Sequence, residues 1–385
     1  MFTILLLSLC ILTNNVLTNY IEDSKLVLKD VIKQYGYPLE EHEIITSDGY
    51  ILTTHRIKHG KNGNITNKNP ILLGHGLGVT SEIFLALGNT SLPYYLADNG
   101  YDVWMMNARG NYFSRNHTHL NPDTDKRFWN FRIDEIACID LPTNIDYILN
   151  ITEEKALFYI GHSQGTTTFF MLTSAMPEYN KKIKLSVSMG PSVYYIFNEN
   201  VYDLLTLGGQ LLNIIEGLNI LELGNDMIRT FLREMCTKQF EARCVEMFEF
   251  VANAEFKFDT KIFHWVLRTT PSGLSIYQFR QSIQLATSGF RYYDYGGKGN
   301  LKKYNSRRPP EFNLTNSRAL SALFYSDGDW ITSPEAVRVL GKNLPNVINY
   351  KVPLKEFTHF DFLIHLDVIK LVYLPMINLM KKYNI

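Results

Sequence analysis

Residues 156–176 read ALFYIGHSQGTTTFFMLTSAM. An apolar run of strand length, 156–160, enters the pentapeptide Gly161-His162-Ser163-Gln164-Gly165, and a helix-like run, 166–176, leaves it. A GxSxG pentapeptide between a strand and a helix predicts a tight turn that holds the serine hydroxyl away from its own backbone. Glycines on both sides of the serine allow the neighbouring backbone and helix to approach closely. Ser163 is therefore a candidate nucleophile, although the pentapeptide is weak evidence without its surroundings.

A second apolar run, Pro70 to Leu73, ends about ninety residues upstream in the turn Gly74-His75-Gly76-Leu77. In α/β-hydrolases an early loop of this kind supplies one of two backbone N–H donors to the oxyanion. The other donor comes from the residue after the nucleophile. We therefore expect the N–H groups of Leu77 and Gln164 to form an oxyanion hole. The alternative is an ordinary turn after a core strand.

The rest of a catalytic triad is sought late in the chain, because this fold supplies serine, acid and histidine in that order. A strand-like run, 320–325, leads into a loop with two carboxylates, Asp327 and Asp329. The next strand-like run, 347–352, precedes His359 and a helix-like segment, 360–371. His359 would move the proton, and one of the two carboxylates would orient it.

The other candidates near these positions have ordinary interpretations. His365 is interpreted as a helix-face histidine, and Asp361 and Asp367 as a helix N-terminal charge and a surface charge. His162 is next to the nucleophile, but adjacent residues on a tight turn point in different directions. Turn chemistry alone could explain Asp327.

The chain resembles the acid lipase family, which includes gastric and lysosomal acid lipases. The resemblance runs from about residue 27 to the C-terminus and is carried by nine segments in one order. The segments are Tyr35-Gly36-Tyr37-Pro38 with Glu40-Glu41-His42-Glu43, Thr46-Ser47-Asp48-Gly49-Tyr50-Ile51-Leu52, His75-Gly76-Leu77, Tyr101-Asp102-Val103-Trp104, Asn107-Ala108-Arg109-Gly110-Asn111, Asp140-Leu141-Pro142, Gly161-His162-Ser163-Gln164-Gly165-Thr166-Thr167, Asp329-Trp330 and His359-Phe360-Asp361-Phe362.

This resemblance implies a triad of Ser163, Asp329 and His359, with Leu77 and Gln164 as the oxyanion donors. Trp330 favours Asp329 over Asp327 as the acid. The family also implies an inserted cap with a lid over the site. The middle of the chain, 193–315, matches less closely, so acyl-chain and headgroup preference stay open.

The expected fold is an α/β-hydrolase fold, a mostly parallel central sheet flanked by helices with a mainly helical cap. At 385 residues and 45% hydrophobic composition, the chain is long enough for one large core and an insertion. We expect a signal peptide over residues 1–18, core segments over 19–192 and 316–385, and the cap/lid over 193–315. The h-region Phe2 to Leu12 is short for a membrane span, and no later uncharged run is long enough to cross a membrane, so the mature protein is expected to be soluble.

The spacing of two cysteines suits a disulfide in an oxidising compartment, and the sequons permit glycosylation without arguing for secretion. Cys236 and Cys244 are the expected disulfide, in line with the resemblance, and Cys138 is expected to be a buried free thiol. Candidate glycosylation sites are the five sequon asparagines, Asn64, Asn89, Asn116, Asn150 and Asn313. The expected signal peptide predicts that the protein is secreted or lysosomal.

Charge and motifs exclude several classes of function. The 38 basic and 38 acidic residues balance, so no nucleic-acid or polyanionic partner is expected. No metal-binding motif is visible, and we expect no metal and no cofactor. Two stretches in the middle of the chain are interpreted as glycine-broken short helices, 195–232, and a return loop from the cap, 289–299.

The predicted function is hydrolysis of carboxylic esters of lipids, as in a triacylglycerol lipase or a sterol esterase, through an acyl-enzyme at a lipid–water interface. The alternatives are an esterase for small soluble esters and a non-catalytic lipid-binding relative. The second alternative is disfavoured because no triad position is missing.

Overall fold

The computed structural model describes residues 28–63, 69–238, 241–252 and 260–383. The predicted signal peptide, 1–18, and Asn64 lie outside these residues. One sheet organises the described chain, in the strand order β1-β2-β4-β3-β6-β7-β10-β11, with β5 added beside β2. The pairs β1–β2 and β2–β4 are antiparallel, and every later neighbour in this order is parallel.

The strands of this sheet are β1 Glu40–Ile45, β2 Tyr50–Ile57, β3 Asn69–Gly74, β4 Tyr101–Met105, β5 Asn116–His117, β6 Leu157–His162, β7 Ile183–Met189, β10 Ser321–Tyr325 and β11 Val347–Lys351. A small antiparallel pair is formed by β8 Glu222–Leu223 and β9 Leu274–Ser275.

The α-helices are α1 Leu28–Gln34, α2 Leu92–Asp98, α3 Ile133–Glu135, α4 Leu141–Thr152, α5 Gln164–Ala175, α6 Glu199–Gly217, α7 Asp226–Lys238, α8 Glu241–Ala252, α9 Thr260–Leu267, α10 Ile276–Ser288, α11 Gly296–Tyr304, α12 Pro334–Asn343, α13 Asp361–Ile364 and α14 Leu374–Lys382. Among the described residues, no helix is long and apolar enough to cross a membrane.

The central strands are apolar on both faces because both faces of the sheet are covered. In β6, Phe158 and Ile160 belong to one hydrophobic cluster, and Leu157 and Tyr159 belong to another on the opposite face. This alternation explains why the strands before Ser163 and His75 read as unbroken hydrophobic runs. The predicted α/β-hydrolase fold is confirmed.

The parallel strands bring their carboxyl ends to one edge of the sheet. The loops that follow β3, β6, β7, β10 and β11 therefore open at the same edge. In open α/β sheets this edge is where ligands bind. It is also where the candidate residues of the sequence lie.

Six helices, α6 to α11, lie in the sequence between β7 and β10. The cap bounds 193–315 stay a prediction. Two details of this region differ from the sequence prediction. Helix α6 continues through Gly208-Gly209, where short helices were expected, and α11 occupies part of the predicted return loop, 289–299. Glycine costs a helix only about 1 kcal/mol relative to alanine, so a long helix can continue through two glycines.

The predicted helix 360–371 was wrong in its extent. Helix α13 ends at Ile364, and His365 is extended, with φ −70° and ψ 135°. The His365 ring accepts a hydrogen bond from the N–H of Asp367 at 3.0 Å. This local side-chain bond gives the backbone an alternative to the helix. His365 is therefore a turn residue and not a helix-face residue.

Candidate active site

Ser163 forms the sharp turn between β6 and α5. Its backbone has φ 53° and ψ −121°, a conformation that residues with a side chain rarely adopt. The turn requires Gly165, because a Cβ on that residue would lie 2.2 Å from the carbonyl oxygen of Gly74. The GxSxG pentapeptide thus packs directly against the end of β3, where the oxyanion loop begins.

The loop after β3 approaches the serine closely. A Cβ on Gly76 would lie only 3.3 Å from the Cβ of Ser163. Leu77 follows in this loop, and Gln164 is the first residue of α5. The N–H of Gln164 has no helical acceptor because it lies in the first turn of its helix. The two predicted oxyanion donors are therefore both close to Ser163 in the structure.

The two donor peptides are held from their carbonyl ends. The Gly76 carbonyl belongs to the same planar peptide as the N–H of Leu77 and accepts a hydrogen bond from His75 Nδ1 at 2.8 Å. The Ser163 carbonyl shares its peptide with the N–H of Gln164 and accepts from the N–H and Oγ1 of Thr166, at 2.8 and 2.7 Å. Since a peptide is planar, fixing each oxygen also fixes the direction of the opposite N–H.

The His75 ring is buried and held as one neutral tautomer. Its Nε2 accepts a hydrogen bond from the N–H of Ala108 at 3.1 Å, while Nδ1 donates to Gly76. Burial lowers the pKa of His75 to about 4. The neighbouring Arg109 is anchored by a buried ion pair to Asp140, with Nη2 2.6 Å from Oδ1. The ion pair of Arg109 therefore holds the neighbouring backbone of Ala108, which in turn bonds to the His75 ring.

His359 and Asp329 form a buried pair on the loops after β11 and β10. His359 Nδ1 donates to Asp329 Oδ2 at 2.8 Å, and Asp329 also accepts from Thr332 Oγ1 at 2.5 Å. Burial alone would raise the pKa of Asp329, but the His359 charge and the hydrogen bonds from both residues lower it below its usual value. The carboxylate therefore stays ionised and fixes the imidazole with Nε2 facing away.

The Met189-Gly190 turn after β7 links the serine to this pair. The N–H of Ser163 donates to the Met189 carbonyl at 3.1 Å. Gly190 has φ 59°, and a Cβ there would lie 2.8 Å from His359 Nδ1 and 3.2 Å from Asp329 Oδ2. Ser163 and His359 thus contact the same turn. No hydrogen bond joins their side chains, and His359 Nε2 is buried without a partner among the described residues.

His162 contacts the loop that carries His359. Its Nε2 donates to the backbone carbonyl of His359 at 2.9 Å, and the two ring centroids are 4.9 Å apart. Burial and the nearby His359 lower the pKa of His162 to about 3. A neutral ring that bonds to a backbone oxygen holds the His359 loop in place.

The remaining carboxylate candidates lie elsewhere. Asp327 forms an ion pair with Lys351, with Oδ2 2.7 Å from Nζ. Asp361 Oδ2 accepts from the N–H of Thr358 at 2.6 Å, and Asp367 is exposed. The structure thus brings Asp329, and not Asp327, against His359.

Several residues of the site could not be predicted from the sequence. His75, Thr166, Gly190 and Thr332 act through contacts between distant segments, which spacing along one segment does not reveal. A signal exists for Gly190, because it directly follows an apolar run of the sequence as Gly74 and Gly161 do. The bond from the His162 ring to the His359 loop was not anticipated.

The structure also describes the predicted disulfide, the remaining cysteine and four of the five sequon asparagines. Cys236 and Cys244 are joined by a disulfide, with their Cα atoms 5.6 Å apart. Cys138 is free and half-buried. Four sequon asparagines are exposed, namely Asn89, Asn116, Asn150 and Asn313. No group of three or more metal-ligand side chains occurs in the described ranges.

Two family profiles match the chain. A profile for a partial α/β-hydrolase lipase region matches residues 28–88, and a profile for the α/β-hydrolase fold matches residues 69–218. Among solved structures, a bacterial membrane phospholipase A superposes with a TM-score of 0.53 at 13% identity, covering 91% of this chain and 89% of that chain. The likeness to the phospholipase structure concerns the fold alone.

Curated relatives match over nearly the whole chain. Lipase 1 of Drosophila melanogaster is 40% identical over 368 residues, which cover 94% of this chain and 82% of the relative. Gastric triacylglycerol lipase of Bos taurus is 33% identical, covering 93% of this chain and 92% of the relative. Lipase member K of Homo sapiens is 31% identical, covering 94% and 92%.

Proposed function

The chain belongs to the acid lipase family of α/β-hydrolases and is a carboxylic ester hydrolase that acts on lipids, and we propose that it does so through an acyl-enzyme on Ser163. In this proposal His359 is the general base and acid, and Asp329 orients it. The N–H groups of Leu77 and Gln164 bind the oxyanion. The substrate class is a triacylglycerol or a related lipid ester.

Acylation begins when Ser163 Oγ adds to the ester carbonyl and its proton passes to His359 Nε2. The carbonyl oxygen becomes an oxyanion, which the two backbone N–H groups stabilise. Collapse of this intermediate expels the alcohol, which takes the proton from His359, and leaves the acyl group on Ser163. Water then adds to the acyl carbon by the same route and releases the carboxylic acid.

One observation carries the proposal. His359 has its Nδ1 bonded to a buried, ionised Asp329, and its Nε2 is without a partner beside the turn that also holds Ser163. A histidine in this state has its acceptor nitrogen available for the serine proton. The strained backbone of Ser163 supports the same role, since such conformations cluster at active sites.

Paired substitutions test the assignment of the acid. Asp329→Asn should lower kcat by about 10⁴-fold, because the amide favours the wrong imidazole tautomer. Asp327→Asn is the matched control, since Asp327 pairs with a half-exposed lysine, and it should change kcat by less than about twofold. Equal losses in the two variants would contradict the assignment.

We also propose that the enzyme works at a lipid–water interface. Four side chains of α6 and its C-terminal cap, Leu204, Leu207, Ile214 and Leu218, share one helix face and are 59–65% exposed. The first turn of α6 lies beside the site, through aromatic contacts from Tyr202 to Phe197 and from Phe197 to Trp330, with ring centroids 5.9 and 6.1 Å apart. Trp330 directly follows Asp329.

The charge on α6 favours an uncharged lipid surface. Its charged residues are Glu199, Asp203 and Glu216, and it contains no basic residue. Anionic membranes attract basic segments and repel acidic ones. An emulsion of neutral esters therefore suits this face better than an anionic bilayer.

The proposed location is secreted or lysosomal. The apolar N-terminal segment supports entry into the secretory pathway, and the Cys236–Cys244 disulfide suits an oxidising compartment. Mass analysis of the mature N-terminus after expression in a secreting cell tests this, since cleavage after residue 18 is expected.

A further inference from the structure

A buried segment that runs from the end of α9 into the first turn of α10 packs against the active-site edge of the sheet. It comprises residues 269–278 and is called the strap below. Four of its polar residues are almost completely inaccessible to solvent, namely Thr269, Ser272, Ser275 and Gln278. Buried polar groups are retained where they form specific hydrogen bonds. The partners of these groups reveal what the strap holds.

The first end of the strap binds the oxyanion loop. The N–H of Ser272 donates to the carbonyl of Gly78 at 2.8 Å, one residue beyond Leu77. The Oγ1 atoms of Thr269 and Thr80 are 3.0 Å apart, and both residues are buried. The strap therefore fixes the backbone on the C-terminal side of the Leu77 donor, while His75 fixes its N-terminal side.

The second end of the strap binds the other donor residue. Gln278 Nε2 donates to Gln164 Oε1 at 3.1 Å. Gln164 carries the second N–H at the start of α5, and both glutamines are buried. One short segment thus contacts both arms of the oxyanion hole.

These contacts are with residues beside the donors and not with the reacting atoms. The strap can therefore act on the reaction only through the positions of the two N–H groups. Oxyanion donors contribute to rate because they are fixed before the charge develops. A displacement of about 1 Å in such groups can cost about a hundredfold in rate.

We propose that the strap is the positioning element of the oxyanion hole, with Thr269 and Gln278 as positioning residues. This inference rests on the proposed function, since it assumes that Leu77 and Gln164 bind the oxyanion. Its consequence is that loss of a strap contact weakens transition-state binding and leaves ground-state binding of a small ester unchanged.

The test uses the full-length enzyme with Thr269→Val and Gln278→Met, which remove a hydroxyl and an amide at nearly constant volume. The measurements are kcat and KM for a short-chain soluble ester, and Ki for a trifluoromethyl ketone. Ser163 Oγ adds to this ketone and generates an oxyanion that the same two N–H groups bind. Each variant should lose about tenfold in kcat and in ketone affinity, with KM unchanged.

Matched controls separate positioning from general damage to the fold. Thr269→Ser keeps the hydroxyl and should restore kcat to within about twofold of wild type. Gln284→Met removes an amide from the same helix α10 whose partners, Asp294 N–H and carbonyl, lie outside the oxyanion arms, and it should behave as wild type.

A double-mutant cycle gives a second readout if Thr269→Val does not fold. Gln164→Met combined with Gln278→Met should be no worse than the worse single variant, because both remove one shared contact. Fully additive losses would contradict the coupling. Unchanged kcat and Ki in the strap variants would overturn the proposal, as would a rise in KM that accounts for the whole effect.

Failure of the proposed function gives a different result. If an organophosphate inactivates the wild-type enzyme without labelling Ser163, the catalytic assignment and the strap proposal both fall. If Ser163 is labelled and the strap variants keep wild-type kcat, only the strap proposal falls.

Discussion

At the scale of the residue, Ser163 combines a functional position with a strained backbone. Its φ of 53° and ψ of −121° are maintained because the Met189 carbonyl and the tight packing of Gly165 fix the turn from both sides. Conformations of this kind cost of the order of 1–3 kcal/mol and persist where the surroundings determine them. The enzyme thus exposes the hydroxyl at the expense of stability.

The strain predicts that Ser163→Gly is more stable than Ser163→Ala. Glycine adopts positive φ without a steric penalty, whereas alanine keeps the strained Cβ. We expect the glycine variant to exceed the alanine variant by about 1 kcal/mol in the free energy of unfolding. Denaturant titration measures this difference. An alanine variant that equals or exceeds the glycine variant would show that the turn is not strained.

At the scale of the element, a buried carboxyl, that of Glu82, lies between the C-terminal end of α9 and the short turn that follows the loop after β3. Glu82 is 2% exposed, and its Oε1 lies 3.5 Å from Arg268 Nη2. Trp265 Nε1 donates to the Glu82 carbonyl at 2.9 Å. Burial raises the pKa of Glu82 to about 7 even though Arg268 opposes the shift.

This pKa predicts a pH dependence of stability. A group whose pKa is raised in the folded state stabilises the fold below its unfolded value, here about 4.5, and that contribution is lost as the pH rises through about 7. Glu82→Gln removes the titration. The free energy of unfolding of the variant, relative to that of wild type, should therefore rise by about 3 kcal/mol between pH 4 and pH 8.

Denaturant titrations of both proteins across this pH range test the effect, with Glu335→Gln as a control on the exposed first turn of α12. A difference between wild type and Glu82→Gln that is independent of pH would contradict the raised pKa.

The elements also show what sequence reasoning could reach. The strands before Ser163 and His75 were predictable because strands buried on both faces give unbroken apolar runs. The lengths of α6 and α13 were not, because α6 continues through two glycines that are typical of helix ends, and a bond from the His365 ring to the backbone ends α13. Local preference is a weak guide wherever such contacts oppose it.

Some residues of the candidate site could also be predicted from the sequence, and others could not. Ser163, His359 and the choice of Asp329 over Asp327 follow from motifs, chain order and family resemblance. The groups that orient them, such as His75, Thr166 and Gln278, were not predictable, because each reaches a backbone or side chain whose position depends on the folded chain.

At the scale of the whole molecule, the helix that carries the exposed apolar face, α6, begins beside the candidate catalytic residues. The contacts from Tyr202, in the first turn of α6, through Phe197 to Trp330 connect the start of this helix to the site. Contiguous exposed apolar surface is uncommon on soluble proteins and marks an interaction site. Its position relative to Asp329 would present the site to an adsorbed lipid phase.

This arrangement predicts that Leu204→Ser combined with Leu207→Ser impairs hydrolysis of an emulsified long-chain triacylglycerol. Less apolar area is then available for adsorption, and each side chain contributes of the order of 1.5–3 kcal/mol when fully buried. We expect at least a tenfold lower rate at limiting emulsion area. The rate on a short-chain monomeric ester should be unchanged.

Ile45→Ser is the control for this experiment, because Ile45 is equally exposed but lies on the edge strand β1. It should hydrolyse both substrates as wild type does. If the double variant loses the two activities in parallel, α6 supports the fold of the site and not its adsorption.

The central claim is that Ser163 forms the acyl-enzyme, and covalent labelling tests it most directly. The enzyme is titrated with an organophosphate until activity is lost, and the adduct is located by peptide mass analysis. The account predicts one phosphoryl group per molecule on the peptide that contains Ser163, in proportion to the activity lost. Complete inactivation with the adduct on another residue, or full activity with Ser163 modified, would contradict it.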